Sequence, residues 1–124
     1  MGTFYTDFIV ANHIRRDKRT EVRRALVDTG SEATWISAET LKEIGVAPEK
    51  KDIIFVMANG QEVTRQVGFA VIHLGEIHTI DEVVFALEGD MQILGARTLE
   101  GLNMTVHPRK KILAPAGPRL AAVA

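Results

Sequence analysis

Ala25-Leu26-Val27-Asp28-Thr29-Gly30-Ser31, continued by Glu32-Ala33-Thr34-Trp35-Ile36-Ser37, is the stretch around which the rest of the chain is organised. An apolar run ends at one carboxylate. A hydroxyl residue, a glycine and a second hydroxyl residue follow, and then an apolar run resumes. This pattern sets a single Asp on a tight turn at the end of a buried strand. Gly30 lets the backbone turn or approach a neighbour closely, and the flanking hydroxyls can bond to backbone or to the carboxylate itself. Taken alone, an Asp-Thr-Gly is most simply a turn, because Asp and Gly are turn formers.

Upstream, Thr3 to Ala11 is rich in aromatic and β-branched residues and reads as a strand. Asn12 to Thr20 is polar and basic, a solvated hairpin loop, and Glu21 to Val27 returns as the strand that delivers Asp28. Downstream, Thr34 to Ser37 reads as a short strand. Ser37 is then an N-cap for a helix over Ala38 to Ile44, stopped by Gly45. Val46 to Lys51 is a connector, and Asp52 to Ala58 a strand. Asn59-Gly60 is a strong hairpin signal, because both residues tolerate a positive φ. Gln61 to Ala70 returns, with Val63, Arg65, Val67 and Phe69 on one face, and continues through Leu74 to a turn at Gly75. Ile77 to Leu87 is a further strand and Glu88-Gly89-Asp90 a turn. Met91 to Gly95 is a short buried strand leading into a second helix over Ala96 to Leu102. Asn103 to His107 and Lys110 to Ala114 flank Pro108-Arg109 as a last hairpin. One domain is expected over residues 1–114, followed by a loosely held tail over 115–124.

A chain of 124 residues fits one domain with a modest core. Its 15 basic and 16 acidic side chains leave a formal charge of −1, so bulk electrostatics make no case for nucleic acid or membrane. The Arg15-Arg16 and Arg23-Arg24 pairs lack interleaved aromatics, and no nucleic-acid surface is expected. With no cysteine, disulfides, Cys-type zinc sites and thiol catalysis fall away. That composition fits a reducing compartment, and the expected localisation is cytoplasmic. No apolar run follows positive charge at the N-terminus, and no stretch approaches the roughly 20 apolar residues that span a bilayer. A piece of a larger or anchored protein would read the same way. His13, His73, His78 and His107 show no ligand spacing. His73 and His78, five apart, are expected on opposite faces of a strand. No metal or other cofactor is expected.

The apolar-apolar-Asp-Thr-Gly-Ser pattern, with Ile93-Leu94-Gly95 at the right distance downstream, resembles the retropepsin-like aspartic proteases. The resemblance runs from about Phe4 to about Leu113. The hairpin-like C-terminus is closest to the small prokaryotic members. The implied fold is mostly β, a closed or partly closed barrel with one or two short helices and a flap hairpin. A faint internal echo, an apolar run leading through Gly30 and again through Gly95 towards a helix, agrees with a fold built from related halves.

The implied activity is an aspartic endopeptidase. Such chemistry needs two carboxylates close together, sharing one proton. This chain has one Asp-Thr-Gly, and no Asp stands beside Gly95 in a matching role. A protease built from it must therefore be a symmetric homodimer, with Asp28 from each subunit on the two-fold axis. By resemblance, Thr29 interlocks with its partner copy beneath the dyad. Gly30 lets a peptide or protein substrate lie close, and Ser31 donates to the outer Asp28 oxygen. Ala58, Asn59, Gly60 and Gln61 are the flap tip, and Ala33, Ile54, Phe55, Val56 and Ile93 surround apolar pockets. Glu32 and Arg97 are a candidate ion pair within or between subunits, or simply two solvated charges. Two other readings stand beside the protease: a catalytically silent retropepsin-like module for dimerisation or peptide binding, and an unrelated β-domain with a chance motif.

Overall fold

Strand follows strand with two short helical interruptions. The order is β1 (Phe4–Asn12), β2 (Arg19–Asp28), β3 (Thr34–Ser37), α1 (Ala38–Glu43), β4 (Lys50–Val56), β5 (Glu62–Leu74), β6 (Ile77–Ala86), β7 (Ile93–Gly95), α2 (Ala96–Gly101), β8 (Met104–His107) and β9 (Ile112–Pro115). The structure is a computed structural model and describes residues 4–121. The expected start of the first strand at Thr3 and the last three residues of the expected tail lie outside the described residues.

The main sheet runs β1-β2-β7-β3-β6-β5-β4, and β1 also pairs with β5. That extra pairing closes six strands, all but β4, into a mixed barrel. The fold is therefore mostly β and retropepsin-like, with two short helices. Closure removes the open edges that β1 and β5 would otherwise present. β2 pairs with β7 in parallel, as β3 does with β6. Among the described residues β4 pairs with β5 alone, and it projects from the barrel as one arm of a hairpin.

Both faces of β6 are covered. Val83 and Phe85 point into the main core with Phe8, Val10, Ile72 and Leu94. Val84 and Ala86 point the other way, into a smaller cluster with Trp35 and Val67. This is why Val83 to Ala86 is an unbroken apolar run, where a half-exposed strand would alternate. Gly68 has a steric reason. A Cβ there would lie 2.8 Å from the Ala47 carbonyl oxygen, where the connector crosses β5.

Helix α1 ends as expected. Gly45 takes φ +75°, with Gly45 N donating to the Lys42 carbonyl and Val46 N to the Leu41 carbonyl, a Schellman closure. Ser37 holds the N-cap position without a side-chain cap bond. Its N–H donates instead to Gln92 Oε1 at 3.0 Å.

Three expectations change. The Asn59-Gly60 turn is a three-residue loop: Gly60 N donates to the Met57 carbonyl, Met57 N donates to the Gln61 carbonyl, and only Gly60 in that loop has positive φ. This is a turn centred on Ala58-Asn59 followed by a glycine bulge. His73 and His78 share a face. The turn through Gly75 makes them register partners across β5–β6, with ring centroids 5.4 Å apart. The stretch read as a loose tail begins inside β9 and stays tied beyond it. Ala116 N donates to the Asn103 carbonyl, Asn103 Nδ2 to the Gly117 carbonyl, and Arg119 to the Gly101 carbonyl.

Candidate active site

Asp28 ends β2, and its register partner across the parallel pair is Gly95, the end of β7. The chain then turns over Thr29 and Gly30, both exposed. Gly30 N donates to Asp28 Oδ1 at 2.9 Å, and Ser31 N to the Asp28 carbonyl at 3.2 Å. A Cβ on Gly30 would lie 3.1 Å from Asp28 Oδ1, so the turn is tight against the carboxylate.

The far side of the loop is fastened to helix α2. Ala96 N donates to the Ser31 carbonyl at 2.7 Å and Arg97 N to the Glu32 carbonyl at 3.0 Å. These are N–H groups of a first helical turn, which has no partners of its own. The loop carbonyls supply them, so Gly95 serves as N-cap without a side chain. A Cβ on Gly95 would collide with the Ala33 carbonyl. Beneath it a buried chain of bonds runs outward. Gly95 N donates to Thr34 Oγ1 at 3.0 Å, the Thr34 and Thr98 hydroxyls are 2.6 Å apart, and Thr98 donates to Asp81 Oδ2 at 2.9 Å. Because Thr98 spends its proton on Asp81, Thr34 donates to Thr98.

Asp28 lies in a cleft of about 910 Å³ roofed by the β4–β5 hairpin. Ala33, Ile54, Phe55, Val56 and Ile93 all line it, as expected from sequence. Trp35, Val67, Val84 and Met91 join them. Trp35 and Phe55 meet edge to face with centroids 5.1 Å apart, packing hairpin against barrel. Of the expected tip residues only Ala58 reaches the cleft wall; Asn59, Gly60 and Gln61 form the exposed turn beyond it.

Two charged clusters border the cleft. Glu82 accepts from Lys50 at 2.6 Å and from Arg97 at 3.3 Å, and the Lys50 bond chiefly holds its carboxyl below the usual range. Arg65 grips Asp90 with two bonds, Nε to Oδ2 at 2.7 Å and Nη2 to Oδ1 at 2.8 Å. That grip lowers the Asp90 pKa and raises that of Arg65, against the opposing effect of burial.

A family model described as gag-polyprotein putative aspartyl protease matches residues 18–101. The chain belongs to this family. The matched span of the aspartyl protease domain opens just before β2 and closes at the end of α2, so it holds both Asp28 and Gly95. A comparison with curated proteins finds no match.

Against the family expectation, two side chains do something else. The Ser31 hydroxyl donates to the Ala33 carbonyl at 2.9 Å rather than to Asp28, because the loop folds back on itself after Gly30. Within the chain the Arg97 guanidinium pairs with Glu82, and its tie to Glu32 is through backbone only. The parallel β3–β6 pair brings Glu82 to Arg97, a proximity that their separation in sequence hides. Gln92 was also missed: its carbonyl accepts from Leu26 and its side chain from Ser37, so it joins β2 to β3 beside the site. Among the described residues no group of three or more His, Asp or Glu is arranged to hold a metal ion, and no helix is long and apolar enough to cross a membrane.

Proposed function

We propose that this chain is an aspartic endopeptidase that works as a homodimer, with Asp28 of each copy forming the catalytic dyad. The observation that carries this reading is the placement of Asp28: a carboxylate on an exposed glycine turn, at a cleft with apolar walls and a hairpin roof, inside a domain of an aspartyl protease family. One chain contributes one such aspartate. The exposed Thr29-Gly30 turn is the surface through which a second copy would complete the pair.

In the dyad, two carboxyls too close to ionise together share one proton. The ionised Asp28 takes a proton from the attacking water. The protonated Asp28 of the other copy donates to the scissile carbonyl oxygen and stabilises the tetrahedral oxyanion. Collapse of that intermediate returns a proton to the leaving amine, and no covalent enzyme intermediate forms. The β4–β5 hairpin acts as the flap, excluding water and holding an extended peptide. Trp35, Phe55, Val84 and Ile93 favour apolar side chains flanking the cut. Thr29 of each copy braces the other beneath the dyad.

The test is hydrolysis of an unfolded protein substrate from acidic to neutral pH, by wild type and by Asp28→Asn, at several protein concentrations. Cleavage that the substitution abolishes, and that rises faster than linearly with concentration, is the expected result. Cleavage by both proteins alike would remove Asp28 from the mechanism. Cleavage by neither, with a transition-state mimic of the pepstatin type still bound, would favour a silent peptide-binding module.

A further inference from the structure

The β4–β5 hairpin has a definable hinge. β5 pairs with β6 only from Val67 onward, opposite Val84. Towards Glu62 its one strand partner among the described residues is β4, so the hairpin beyond that point is a two-stranded ribbon, marginal by itself in water. The register between the strands shifts between the Lys50–Val67 and Ile53–Arg65 rungs, and Asp52 sits there at φ +58°. A bulge of this kind bends and twists a ribbon. Arg65 is the first ribbon residue on the far side of the bulge.

From that position Arg65 reaches the loop between β6 and β7. Its two bonds to Asp90 are short, at 2.7 and 2.8 Å, and the side chains are only 14% and 9% exposed. Asp90 is itself fixed. Its Oδ2 accepts from Leu87 N at 2.8 Å, and Asp90 N donates to the Leu87 carbonyl at 2.9 Å, closing a turn through Gly89 at φ +91°. Gly89, Asp90 and Met91 line one wall of the cleft, while the ribbon is its roof. A shielded bidentate pair is geometrically specific, and removing one partner strands the other charge.

We infer that Arg65 and Asp90 form a latch at the hinge of the hairpin, fixing its resting angle over Asp28 and making the roof and the 87–91 wall of the cleft move as one body. Arg65 and Asp90 are positioning residues in this role. The latch rests on the peptidase reading only for its effect on turnover.

The experiment is amide hydrogen exchange on the full chain carrying Asp90→Asn or Arg65→Lys. Amides of the ribbon, Met57 and Gly60 among them, should exchange on the order of ten times faster than in wild type, while barrel amides such as Val10 and Ile72 keep their protection. Arg65→Lys, which retains charge but not the fork, should fall between wild type and Asp90→Asn. Wild-type exchange throughout the ribbon in both variants would overturn the latch. If Asp90→Asn loses protection everywhere, Arg65→Lys alone decides, on the same criterion. With a peptide substrate, KM should rise about tenfold with kcat and the pH profile little changed, since the chemistry is untouched. Faster ribbon exchange in a chain that cleaves nothing would keep the latch and sink the peptidase. Unchanged exchange in an active enzyme would do the reverse.

Discussion

Asp28 and Gly95 are direct register partners across the parallel β2–β7 pair, so the two sequence motifs of this chain meet side by side at one end of the barrel. Gly95 lies hard against the loop that follows Asp28, since a Cβ there would run into the Ala33 carbonyl. Gly95→Ala must push the loop off α2. A loss of about 3 kcal/mol is expected, the upper part of the overpacking range, because the obstruction is backbone. Thermal unfolding should show a Tm lower by on the order of 10 °C, and cleavage should fall with it.

Thr34 is buried and lies between Gly95 N and Thr98. Thr34→Val keeps the shape and deletes the hydroxyl, which leaves a buried N–H without an acceptor. A cost of about 1–3 kcal/mol is expected. Thr34→Ser keeps the bonds and loses a methyl group, at about 1 kcal/mol. Urea unfolding of the two variants should therefore rank Ser above Val, and the reverse order would remove the hydroxyl chain from the account of the site.

Ser31 donates to Ala33 and not to the Asp28 carboxylate. Ser31→Ala should leave the acid limb of the pH–rate profile where it is in wild type. A shift of that limb would mean that the hydroxyl turns to Asp28 in the proposed dimer.

His73 packs beside His78, and its Nε2 is buried with no hydrogen-bond partner among the described residues. Burial first, then the positive charges of Arg19, His78 and Arg16, push its pKa below the ordinary value of 6.5. The folded state thus binds this proton less readily than the unfolded chain. The stability tied to neutral His73 is complete above pH 6.5 and is lost as pH falls towards the lowered folded pKa. Denaturant midpoints should drop between pH 7 and pH 5 in wild type, and drop less in His73→Gln. Equal slopes for the two proteins would contradict this.

Local signals were legible where neighbours in sequence supply all the physics. The Asp28-Thr29-Gly30 turn, the glycine stop at Gly45 and the final hairpin around Pro108 depend on propensities within a few residues. The errors have the same cause. Asn59-Gly60 can form either a two-residue or a three-residue loop, and the register of β4 on β5 selects the second. His73 and His78 looked opposed because their five-residue spacing was counted along one strand, whereas the turn at Gly75 reverses the chain between them and sets them opposite each other. Arg97 has several acidic side chains within reach in principle, and strand pairing gives it Glu82.

By itself the sequence determined that one aspartate sits on a glycine turn after an apolar strand, that the domain is mostly β, and that one chain carries one Asp-Thr-Gly. Those are properties of composition and short-range pattern. Only the tertiary structure decided that β1 closes on β5, that Gly95 lies against Asp28, and that Arg65 grips Asp90. Each joins residues far apart along the chain, where the energy of a contact depends on a geometry that no local pattern specifies.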